Sequence, residues 1–197
     1  MPRVRASATK TTTPCSRISR TDRLEPVVLR SVPIRRWGRI RRNRGYGVKS
    51  RVPIVNICSS QTALRVPRTK ITALVGFVAR REHVAVGEVD VAVVSRREMA
   101  YLNRRYLSRA GATDVLSFDL SGASQEGLVA QLIVCGDVAV RQAKALGVGP
   151  QRELLLYVVH GLLHVMGCRD GATGAAAKMC ARQKQLLEDF LKSYRRR

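Results

Sequence analysis

The chain is poor in acids, in aromatic residues and in histidine. Its 197 residues carry 14 Asp and Glu against 36 Lys and Arg, a net charge of +22. Such an excess points to a polyanionic partner, of which nucleic acid is the commonest. Phe, Trp and Tyr make up only 5% of the residues, so aliphatic side chains must build most of the core. No apolar run approaches the roughly 18–20 residues needed to cross a membrane. The five cysteines, Cys15, Cys58, Cys135, Cys168 and Cys180, are scattered with no CxxC pair. That argues against a disulfide framework and for a reducing compartment, with the cytoplasm as the expected location.

The positive charge is not confined to one end. Residues 1–50 hold 14 Lys and Arg against Asp22 and Glu25, and residues 51–197 still carry +10. Pro14, Pro26 and Pro33, many Ser and Thr, and the basic run from Arg35 to Arg44 mark the first part as unlike the rest. No apolar period of 2 or 3.6 persists there, so residues 1–51 are expected to be a disordered basic extension and residues 52–194 the folded domain. Three readings fit the extension. It is an RNA-binding arm, an organelle transit peptide (rich in Arg and Ser, poor in acids), or upstream sequence from an early start codon. The last two are favoured together, and the transit-peptide reading would make the protein organellar.

From Val52 the pattern becomes globular. A short strand is expected over Val52 to Cys58. A helix opens at Pro67 and runs to about Arg81, with Ile71, Leu74, Val75 and Val78 on one face. Glu88 to Val94 alternates as a strand. Ser95, with Glu98 three residues on, signals a capping box and a helix to about Arg105. Val115 to Phe118 and Leu132 to Val138 read as strands, the second followed by a helix that Gly147 ends. Pro150 opens a largely apolar helix to about Met166, with Glu153 where the dipole favours an acid. A last helix covers about Ala175 to Tyr194. Strands interleaved with helices give an α+β class, a small mixed β-sheet packed with helices.

Two of the three histidines, His160 and His164, fall four residues apart on the apolar helix. At 100° per residue they share one face. Gly167 can end the helix and bring Asp170 back toward the same point. Two imidazoles and a carboxylate can form an open zinc site on and just after a central helix, with one position left for a water that the ion would activate; the other reading is a pair of satisfied core histidines. Cys168 lies inside the motif, but Asp170 already completes the three-ligand set, so Cys168 is expected as a free thiol. HExxH peptidases place a general base directly after the first histidine. Here that residue is Gly161, which disfavours peptide hydrolysis.

The run His160-Gly-Leu-Leu-His-Val-Met-Gly167 followed by an acid resembles the signature HGxLHLxGxDH of the YbeY family of endoribonucleases, or rRNA maturation factors. Leu102-Asn103-Arg104-Arg105-Tyr106 is similar to its LNxxY, Thr113 to Phe118 to its TDVLSF, and Cys135-Gly136-Asp137-Val138 to its LGD strand. Met179 and Gln183 match its last helix. The resemblance covers roughly Val52 to Leu191. It implies one metal ion, usually zinc, held by His160, His164 and Asp170. It also implies single-strand-specific RNA cleavage in rRNA 3′-end maturation and ribosome quality control, with rRNA and ribosomal particles as partners.

Two positions depart from the family pattern. Asp170 stands where the family has its third histidine, and Arg169 where it has Asp. Leu107 stands where an arginine usually follows the tyrosine of LNxxY, leaving Arg105 or Arg109 to supply charge to RNA. Loss of a cation from the site would cost rate, since electrostatic stabilisation is usually the largest catalytic contribution. The alternative is therefore a non-catalytic ribosome-assembly factor with a structural metal. Thr113 and Asp114 are expected to cap a turn. Asp137 is expected to cap the following helix, with orientation of a histidine as the other reading.

Overall fold

The computed structural model describes residues 52–122, 127–168 and 174–196. The order of elements is β1 (Ile54–Ser59), α1 (Arg68–Arg81), β2 (Val86–Val94), α2 (Arg96–Leu107), β3 (Val115–Asp119), β4 (Leu128–Cys135), α3 (Gly136–Leu146), α4 (Pro150–Val165) and α5 (Ala175–Arg195). The strands form one mixed sheet in the order β1-β2-β4-β3. β1 and β4 flank β2 in parallel, and β3 closes the far edge antiparallel to β4. The class is α+β.

Side-chain alternation assigns the two faces. Val115 and Leu132 meet Gly161 of α4. Residues in register with them, Val91, Val93, Val134 and Ser117, share that face. Leu116, Phe118 and Ile133 point the other way, where the Tyr106 ring of α2 stands edge-on to Phe118 with centroids 5.5 Å apart. α4 therefore lies under the sheet and α2 above it, with the short edge strand β3 between them. Burial is near complete along α4, from Leu154 and Leu155 to Leu162, Leu163 and Val165, and this helix packs against α1, α3, α5, β3 and β4.

Local signals explain most boundaries. Ser95 Oγ accepts the Glu98 N–H at 3.3 Å and Glu98 Oε2 accepts the Ser95 N–H at 2.9 Å, a complete capping box that starts α2. Gly147 ends α3 at φ +65°, a left-handed conformation that costs glycine nothing. The strand furthest from expectation is β4, which begins at Leu128 and stops at Cys135, with α3 starting at Gly136. Ala130 and Gln131 have weak strand preference, yet they pair with Val89 and Asp90 in mid-sheet, so partners override propensity. At the other end a Cβ on Gly136 would lie 2.8 Å from the Gln61 side chain, which would have to swing aside for any larger residue.

Candidate functional site

The last turns of α4 bring two imidazoles together. The rings of His160 and His164 stand edge-to-face, 4.6 Å between centroids and 87° between planes. Their Nε2 atoms are 3.1 Å apart. On its other side His160 places Nδ1 2.6 Å from Gln183 Oε1 of α5. A carbonyl oxygen can only accept, so His160 Nδ1 carries a proton and donates it to Gln183, and in the neutral ring Nε2 then keeps the lone pair. The pair fits a metal ion. Two imidazole nitrogens converging within 3.1 Å are the kind of donor set zinc takes, so His160 and His164 would hold it.

Gly161 explains how α4 comes so close to the sheet. A Cβ there would lie 3.0 Å from methyl carbons of both Val115 and Leu132. The position that holds the general base in HExxH peptidases thus faces the sheet. A longer side chain would be driven into β3 and β4.

A family model described as endoribonuclease YbeY matches residues 56–191, well over half of the chain. The chain belongs to the YbeY family. Among its curated relatives, the endoribonuclease YbeY of a Nocardioides species is 32% identical over 127 residues, 60% of this chain and 85% of the relative. The endoribonuclease YbeY of Renibacterium salmoninarum is 30% identical over 142 residues, 68% of this chain and 90% of the relative. That of Beutenbergia cavernae is 30% identical, again over 68% of this chain and 95% of its own length. The solution structure of TM1509 from Thermotoga maritima aligns at a TM-score of 0.49 and 23% identity, covering 72% of this chain and 92% of that one.

Within the YbeY domain the remaining expected site residues are placed as follows. Asp170 and Arg169 lie outside the described residues. No cluster of three or more His, Cys, Asp and Glu forms among the described residues. Cys168 is half-buried against the core, and burial pushes its thiol pKa up, with Glu82 adding to the rise and Arg182 opposing it. Arg105 is exposed on α2, its guanidinium 5.9 Å from the centre of the Tyr106 ring, and Arg109 is exposed just after that helix. Leu107 closes α2 half-buried against the core. These three sit on the α2 side of the sheet, and the histidines on the α4 side. No helix among the described residues is long and apolar enough to cross a membrane.

The shared YbeY motifs around the site have structural work of their own. Asp114 Oδ1 accepts the Val115 N–H and the Thr113 hydroxyl, each at 2.9 Å, holding the turn that launches β3. Asp137 differs from expectation. It stands in the first turn of α3, but its Oδ2 accepts the Arg96 N–H at 2.8 Å, so the helix it caps is α2. That contact spans 41 residues and no local pattern announces it. Sequence reasoning gave Gln183 no role beyond its match to the last helix. The available signal was its spacing: Gln183 follows Met179 by one turn, on the side of α5 that buries Met179, Leu186, Leu187 and Phe190. A glutamine near a buried face needs a partner, and here it is an imidazole.

Proposed function

We propose that this chain is a zinc-dependent endoribonuclease that cuts single-stranded RNA in rRNA 3′-end maturation and ribosome quality control. The observation that carries the reading is the convergence of His160 and His164, Nε2 to Nε2 at 3.1 Å, in a chain of the YbeY family. His160, His164 and Asp170 are the proposed ligands, with Asp170 replacing the family's histidine. Zinc, when bound, supplies Lewis acidity toward a phosphodiester oxygen. The chain's own residues do the rest. α4 fixes the spacing of the two imidazoles, Gly161 sets its depth against the sheet, and Arg105 and Arg109, on and just after α2, add to the positive field that draws RNA to the domain. The net charge of +10 on residues 51–197 favours the same substrate. A cytoplasmic location, or an organellar one if residues 1–50 are a transit peptide, belongs to this proposal.

The test combines metal analysis with cleavage. Wild type is expected to hold one zinc per chain and to cut single-stranded rRNA fragments. His164→Ala and Asp170→Ala are expected to lose the metal and at least a hundredfold in rate. Equal, metal-independent cleavage by His164→Ala would sink the proposal. One observation favours a second reading, a non-catalytic assembly factor: an apolar side chain, Leu107, occupies the end of α2 where the family carries arginine. If wild type binds ribosomal particles without cutting RNA, while Leu107→Arg cuts, the second reading replaces the first.

A further inference from the structure

The contact between Gln183 and His160 crosses from α5 to α4 and decides more than the position of one ring. α5 is held in place by Arg182, whose Nη2 lies 2.6 Å from Glu82 Oε1. Arg152 with Glu188, and Arg81 with Asp189 at 3.5 Å, complete the tether. Exposed pairs of this kind add little stability, but three along one helix fix its register against α1 and α4. Gln183 thereby arrives 2.6 Å from His160 Nδ1. Its carbonyl oxygen demands a proton there, so in the neutral imidazole, the form that binds a metal, Nε2 of His160 keeps the lone pair. At the 3.1 Å contact between the rings, two lone pairs would repel, so His164 Nε2 is the donor.

We propose that Gln183 is the positioning residue of this site. It locks the proton of His160 on Nδ1 and, through it, sets the proton order of the pair as Gln183 Oε1 ← His160 Nδ1–H and His160 Nε2 ← H–Nε2 His164. The two ligands are then unequal. His160 already presents the lone pair a metal needs, whereas His164 must move its proton off Nε2 first. This rests on the metal-site reading above, though the proton order itself concerns the metal-free protein.

Long-range proton–nitrogen correlation spectra of metal-free protein, labelled with 15N at histidine, read the tautomers directly. Wild type and Gln183→Glu, which keeps an acceptor, are expected to show His160 protonated on Nδ1 and His164 on Nε2. Gln183→Met, close in length but without an acceptor, is expected to lose the Nδ1 preference of His160. It should also bind zinc about 10–100-fold more weakly, the usual effect of removing such a partner. A His160 protonated on Nε2 in wild type would overturn the proposal whether or not the variants fold. So would unchanged tautomers and zinc affinity in Gln183→Met. Wild type that binds no zinc but shows the expected tautomers, shifted in Gln183→Met, would overturn the metal function and leave this proton order supported.

Discussion

Gly161→Ala tests whether α4 is as tightly seated as its backbone implies. In an exposed helix interior the change would stabilise by about 1 kcal/mol, because alanine is the better helix former. Here the added Cβ would lie 3.0 Å from a methyl of Val115 and another of Leu132. Neither neighbour can yield easily. Both are fully buried, Val115 is stiff about χ1, and their strands are held by pairing with Val134 and with Val91. Overpacking of this kind costs about 1–3 kcal/mol. The expected net loss is about 1 kcal/mol, a fall in Tm of roughly 3–5 °C for a domain of this size. Urea and thermal unfolding followed by circular dichroism would measure it. Val115→Ala removes one of the two opposing methyls, so the double variant should be more stable than the sum of the single losses by about 0.5–1 kcal/mol. A Gly161→Ala protein as stable as wild type, or strictly additive losses, would refute the close packing of α4 on the sheet.

Two further predictions concern stability. Glu153 is buried at the start of α4, and burial, only partly offset by Tyr157 and Arg152, raises its carboxyl pKa above the usual range. The folded state then holds this proton more tightly than the unfolded chain, so its contribution to stability falls as pH rises from the ordinary glutamate value through the raised one. Glu153→Gln should match wild type near pH 4 and melt higher at pH 8; equal pH profiles would refute it. Ser95→Ala removes the acceptor in the capping box of α2 and should cost about 1 kcal/mol in urea unfolding, while Thr72→Ala, on the exposed face of α1, serves as a control that should stabilise by up to about 0.7 kcal/mol, since alanine is the better helix former.

What the sequence made legible was mostly local. Ser95 with Glu98, Gly147 and Pro150 announce helix ends because the groups they satisfy lie within a turn. His160 and His164 could be placed on one face because helical spacing is fixed. The contacts that no local pattern announces are long-range. Gln183 reaches His160 from 23 residues away, and Asp137 reaches Arg96 from 41. Gly161 was legible as the absence of a base, but its packing role depends on which strands lie beneath α4. The early start of β4 was hidden because Gln131, a residue of weak strand preference, is fully buried between β2 and β3.

The central seating of α4 also bears on the order in which the domain comes apart. Partial openings of a protein release frayed ends and weakly packed segments first, and its best-packed elements only on global unfolding. α4 touches three helices and two strands, so its amides should be among the slowest to exchange with solvent. The imidazole pair then survives each local opening that frees α2 or the edge of β3. The RNA surface proposed on α2 could then breathe and adapt to its ligand while the spacing of the two histidines stays unchanged.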